Sequence, residues 1–116
     1  MSDPLVPVAY QSALDHRKYL SVVLPNKMRA LLVSDALGDG QDEAYAAVSL
    51  AVDVGHWSDP LDFNGLAHFC EHMILFGAES TCEQSGAFDK FVGVHGGVTN
   101  AFTSARGTNY HFQINQ

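Results

Sequence analysis

Positive charge is scarce in this sequence. Of 116 residues six are Lys or Arg, against thirteen Asp and Glu, for a net charge of -7 with His neutral. The six (Arg17, Lys18, Lys27, Arg29, Lys90 and Arg106) are scattered. No basic cluster can release counterions from nucleic acid phosphates or an anionic bilayer, so neither nucleic acid nor a membrane is expected as a partner. Cysteine is nearly absent. Cys70 and Cys82 cannot build a disulfide framework and read as free thiols of a reducing compartment. No run approaches the ~20 apolar residues of a membrane span. The first residues lack the basic and apolar regions of a secretory signal, and a cytoplasmic location is the expectation. Charged residues are only 16% and hydrophobic residues 47%, which argues against disorder. A chain of this length makes one domain at most and buries roughly 65% of its unfolded surface, enough for a single core.

Residues 1–15 are proline-bearing and weakly patterned, and read as an N-terminal arm preceding one domain over residues 16–116. Lys18 to Leu24 and Met28 to Ser34 have strand composition, and Pro25-Asn26-Lys27 between them reads as a hairpin turn, with Asn tolerating the left-handed conformation. A polar loop with Gly38 and Gly40 follows. Periodicity alone does not separate strand from helix over Ala44 to Val54. The alternation of Val48, Leu50, Val52 and Val54 with smaller residues favours a strand, ended by Gly55. Trp57 to Phe63 is a loop broken by Pro60, and Asp62 or Asn64 is the expected N-cap of the next element.

The strongest helical pattern covers Leu66 to Phe76. Leu66, Phe69, Met73 and Phe76 form one apolar stripe, expected to anchor the helix in the core, and Gly77 reads as its stop. A shorter helix is expected from about Ser85 to Val94, with Phe88, Phe91 and Val92 on one face and Gly96-Gly97 as its end. Val98 to Ser104 and Thr108 to Ile114 read as two further strands around Arg106-Gly107. The last of these has no capping element after it, so an unprotected edge strand is expected there.

The chemistry concentrates in His68-Phe69-Cys70-Glu71-His72. Residues four apart lie on one helix face, and two neutral imidazoles one turn apart can chelate a zinc ion (Zn2+). The helical wheel places both His roughly opposite the Leu66–Met73 stripe and Glu71 beside them, where a carboxylate can reach a water without being a ligand. The competing interpretation is a pair of solvated surface histidines. The apolar sequence around them weighs against it, because an unpaired polar group there is costly and a metal would satisfy it.

Residues Gly65 to Met73 (GLAHFCEHM) and Gly93 to Phe112 (GVHGGVTNAFTSARGTNYHF) are together similar to the inverted zincins of the pitrilysin and insulin-degrading-enzyme family, whose signature is H-x-x-E-H. HFCEHM is especially close to the insulysin and nardilysin branch. The resemblance implies an α+β fold: an antiparallel-rich sheet with helices on one face, the truncated N-terminal part of a pitrilysin-like peptidase domain. It implies a zinc metalloendopeptidase in which His68 and His72 are metal ligands and Glu71 is the general base that activates the water. It implies a peptide or small protein substrate added as a strand to a sheet edge lined by Asn100, Ala101 and Phe102, with the Asn100 amide holding its backbone.

The family's third ligand, a Glu on a later helix, lies beyond Gln116; Glu79 and Glu83 are too close to the motif to match it. The 116-residue stretch alone is therefore expected to be inactive and to depend on the remainder of a peptidase chain or on a homologous subunit. The MILFGA order and the Glu79–Ser85 loop also depart from the family pattern. Two rival readings stand beside the peptidase. One is a non-catalytic truncated remnant or binding module that keeps the zinc helix. The other is a small structural zinc domain that recruits Cys82 or His95. Cys82 otherwise reads as a loop thiol, Cys70 as a small packing hydrophobe, His95 as structural, and Asp39, Asp42 and Glu43 as a solvated acidic loop.

Overall fold

The computed structural model describes residues 11–35, 45–76 and 86–115. Residues 1–10 of the expected 1–15 arm, the acidic loop, Gly77, Glu79, Cys82 and Glu83 lie outside the described residues. The chain falls into two compact units, Met1–Asp42 and Glu43–Gln116.

The first unit holds an antiparallel hairpin of β1 (Lys18–Val23) and β2 (Arg29–Ser34), registered from Lys18 opposite Ser34 to Val23 opposite Arg29. The turn closes through Lys27 N–H to Leu24 O and Leu24 N–H to Met28 O, both 2.8 Å. Its left-handed residue is Lys27 (φ 71°), not Asn26. The Asn26 side chain is used differently: its Oδ1 accepts the Met28 N–H at 3.1 Å. Ahead of β1, the Arg17 guanidinium forks onto Asp15, with Nε 2.8 Å from Oδ1 and Nη2 2.9 Å from Oδ2. That pair, with the Tyr19 hydroxyl, holds the Asp15 carboxyl well below the usual carboxylate range.

The second unit carries a three-stranded antiparallel sheet in the order β3-β5-β4, made of β3 (Tyr45–Val52), β4 (Val98–Thr103) and β5 (Thr108–Asn115). The expected edge strand is therefore the central one. β5 is flanked by β3, with Val52 opposite Thr108, and by β4, with Thr103 opposite Thr108. Pairing on both sides satisfies its backbone groups without any cap.

Two helices, α1 (Leu66–Phe76) and α2 (Ala87–Val94), pack on one face of β4 and β5. That face carries Thr99, Ala101 and Thr103 of β4 and Thr108, Tyr110, Phe112 and Ile114 of β5. Val92 of α2 is fully buried there, and Phe88 meets Phe112 edge-to-face at 5.3 Å. Asp89 accepts the Thr99 hydroxyl at 2.8 Å, tying α2 to β4. Gly97 is required where α2 returns to the sheet, since a Cβ would stand 2.2 Å from Gln113 O.

Leu66, Phe69 and Met73 of the α1 stripe are not in this core. Phe69 is 61% and Met73 52% exposed, and Leu66 is exposed as well. Among the described side chains of α1 the buried ones are Ala67 and Glu71. The reason is local: α1 approaches β4 where a small residue permits it and where a carboxylate finds a hydroxyl, so the larger apolar side chains face away. Among the described helices none is long and apolar enough to cross a membrane.

Candidate active site

Two short-range devices set the start of α1. Gly55 is buried against the turn between β4 and β5, where a Cβ would lie 2.3 Å from Ser104 O. That close approach lets the following 3-10 turn, His56–Ser58, bond the same turn through His56 N–H to Ser104 O (3.0 Å) and Trp57 N–H to Ala105 O (2.8 Å). Asp59 is then delivered to the head of α1. Its Oδ2 accepts the Gly65 N–H and its Oδ1 the Ala67 N–H, both at 2.8 Å. Asp59, not Asp62 or Asn64, thus satisfies the exposed donors of the helix. A residue eight positions ahead of its partner can do this because the loop folds back under Pro60, with Phe63 N–H bonded to Pro60 O. The two N–H groups, Ala67 first, hold the Asp59 carboxyl below its ordinary pKa.

On that anchored helix His68 and His72 turn toward each other. Their Nε2 atoms are 3.1 Å apart and their rings 4.7 Å between centroids. Two nitrogen ligands at zinc distances and the tetrahedral angle stand roughly 3.3 Å apart, so the pair fits a single zinc ion. His56 lies beside them, its ring perpendicular to that of His68 at 6.3 Å and its Nδ1 3.7 Å from Asp59 Oδ2. Among the described residues no third His, Cys, Asp or Glu joins the pair in a metal-holding group.

Glu71 shares the helix but points inward. It is 4% exposed, and the Thr103 hydroxyl donates to its Oε2. Thr103 Oγ1 is 3.3 Å from Thr108 Oγ1, and Thr108 in turn donates to Val54 O at 2.8 Å. Tyr110 stands nearby, and burial pushes its phenol pKa up, with the Glu71 carboxylate adding to the shift.

Asn100, Ala101 and Phe102 sit on β4, an edge of the sheet. Ala101 is on the helix face, whereas Asn100 and Phe102 alternate onto the opposite one. Asn100 Oδ1 accepts the Ala101 N–H at 2.9 Å, so that oxygen is turned onto its own strand. Cys70 is an exposed free thiol, not a packed one. It lines a groove of about 280 Å³ with Val52, Val54, Leu66, Ile74 and Tyr110. His95 caps its own helix, Nδ1 donating to Phe91 O at 2.8 Å.

Sequence patterns passed over Asp59, His56, Thr103 and Thr108. Asp-Pro as a turn initiator was the available signal for Asp59. For Thr103 it was alternation along β4, which puts it on the same face as Ala101.

The model of the insulinase family, peptidase family M16, matches residues 36–116, more than half of the chain. This chain belongs to the insulinase family. It is 41% identical over 102 residues to the A-factor-processing enzyme of Saccharomyces cerevisiae, covering 88% of this chain and 9% of that protein. It is 43% identical over 101 residues to the peroxisomal insulin-degrading enzyme-like 1 of Arabidopsis thaliana, covering 87% of this chain and 10% of that one. A Caenorhabditis elegans relative with zinc protease in its name is 40% identical over 100 residues, 86% of this chain and 11% of its own. The crystal structure of pitrilysin superposes with a TM-score of 0.79 at 33% identity, over 90% of this chain and 11% of that one. The α+β architecture with helices on one face of an antiparallel sheet is therefore that of the N-terminal part of an insulinase-family peptidase domain. The chain spans about a tenth of the length of the relatives it matches.

Proposed function

We propose that the natural protein is a zinc-dependent endopeptidase and that this stretch supplies two metal ligands and the general base. The observation that carries the reading is the 3.1 Å approach of the His68 and His72 Nε2 atoms on a helix whose adjoining carboxylate, Glu71, is buried and hydrogen-bonded. His68 and His72 would hold the zinc, which would supply Lewis acidity for a carbonyl and lower the pKa of water toward about 7.

The remaining steps belong to the chain. His68 and His72 present their imidazoles from one helix face, held at fixed spacing on the helix whose start Asp59 caps. Glu71 takes the proton of the attacking water and delivers it to the leaving amine, so no covalent intermediate is needed and Cys70 has no nucleophilic role. The substrate is an extended peptide that adds to the edge of β4 along Asn100, Ala101 and Phe102, its backbone hydrogen bonds giving affinity independent of side-chain identity.

Glu71→Gln in the natural protein keeps the shape of the side chain and removes the base. Peptide hydrolysis is expected to fall by about 10²- to 10⁴-fold with zinc still bound. Near-normal hydrolysis by a zinc-loaded variant would show the base assignment to be wrong.

A further inference from the structure

The Glu71 carboxylate is almost fully removed from solvent, on a helix whose neighbouring side chains His68 and His72 are exposed. A buried carboxylate swings to water or to a nearby cation unless a donor holds it. The donor here comes from outside the helix. Thr103 is the last residue of β4 and Thr108 the first of β5, and the two are directly opposed across the strand pair. Both side chains emerge on the face that α1 covers. Thr108 gives its only proton to Val54 O at 2.8 Å, a carbonyl adjacent to the close contact at Gly55. Thr103 has one proton as well, and it goes to Glu71 Oε2. A β-branched residue on a strand has few χ1 alternatives, so the direction of that hydroxyl is set by the sheet.

We propose that Thr103 is a positioning residue for Glu71, and that its hydroxyl braces the carboxylate in one rotamer against the rigid end of the sheet. The proposal rests on the reading of Glu71 as general base. The brace explains why a helix that exposes its larger apolar side chains buries a carboxylate: β4 offers that carboxylate a hydroxyl at the one place where α1 comes close. It also makes the reach of the base a property of the strand pair, independent of how tightly metal is held by His68 and His72.

The test uses the natural protein loaded with zinc and an extended peptide substrate. Thr103→Val removes the hydroxyl at nearly constant volume. The expected result is a fall in kcat of about 10- to 100-fold with KM within about twofold and zinc stoichiometry unchanged. Thr103→Ser, which restores the donor, is expected to recover kcat to within about threefold. In the Glu71→Gln background the Val substitution is expected to add no further loss, because the group it positions is gone. An infrared carboxylate band assigned by the Glu71→Gln difference spectrum is expected to shift in Thr103→Val. A wild-type kcat in Thr103→Val, alongside a dead Glu71→Gln, overturns the brace and leaves the base reading standing. An active Glu71→Gln overturns the base reading, and the brace with it. Should the Val variant lose zinc or helical signal, Thr103→Ser is compared with Thr103→Ala, and a kcat difference below about twofold overturns the proposal.

Discussion

At the residue scale the site is a division of labour along five positions. His68 and His72 share one side of α1 and leave their Nε2 atoms 3.1 Å apart, whereas Glu71, about 60° away from His68 on the wheel, turns into the sheet. The exposed pair suits a ligand that must exchange water and substrate, and the buried carboxylate suits a base whose orientation must not wander. His72→Ala removes one of the two proposed zinc ligands. Zinc affinity is expected to fall by more than the ~100-fold typical of losing a residue that only supports a ligand, measured by competition with a chromophoric chelator. His56→Ala, which removes a ring beside His68 that is not itself placed as a ligand, is expected to cost roughly tenfold or less in the same titration. Equal losses in the two variants would mean that His56 itself holds metal.

At the element scale the decisive feature is how α1 begins. A helix leaves its first N–H groups without partners, and Asp59 satisfies two of them, Gly65 and Ala67, from across the loop. Asn has a single acceptor oxygen, so Asp59→Asn keeps one bond and Asp59→Ala neither. Zinc affinity is expected to weaken in that order, by up to about tenfold for Ala, as the first turn frays and His68 loses its fixed direction. Because the folded carboxyl titrates below its ordinary value, the cap is complete above about pH 4 and is lost as the pH falls through the depressed folded pKa. Acid loss of helical circular dichroism is expected to contain this contribution in the parent protein and to lack it in Asp59→Asn. An unchanged acid profile would show that the cap does not hold the helix.

At the scale of the whole molecule the described residues bury few apolar side chains fully. Ala67 and Val92 are inside, while Phe69, Met73 and Ile74 of α1 and Val48 and Leu50 of β3 are exposed. Val48 and Leu50 lie on the helix-covered face by register, opposite Phe112 and Tyr110, yet α1 and α2 pack on β4 and β5. Exposed apolar surface of this kind binds hydrophobic dyes and promotes association. Residues 1–116 expressed alone are expected to enhance the fluorescence of such a dye, to bind zinc weakly, and to hydrolyse peptides poorly. A two-His site falls short of the three protein ligands usual in catalytic zinc centres. Tight one-to-one zinc binding in calorimetry, or an ordinary turnover number, would contradict this.

Local pattern alone was enough for the strands, both helices and the shared helix face of His68 and His72. Each depends on neighbours within a turn or a hairpin: Val48 to Val52 by alternation, His68 and His72 by the four-residue repeat, the β1–β2 turn by Pro25 and Asn26. What tertiary structure alone decided involves partners far apart in sequence. β5 became central because β3, more than fifty residues earlier, pairs along its free side. Leu66, Phe69 and Met73 of the α1 stripe were turned outward because the strand beneath accepts Ala67 and Glu71 more closely than it could accept Phe69 and Met73. Glu71 found Thr103 thirty-two residues away. Periodicity tells which residues share a face, because that follows from backbone geometry; which face is buried depends on what another segment brings to it.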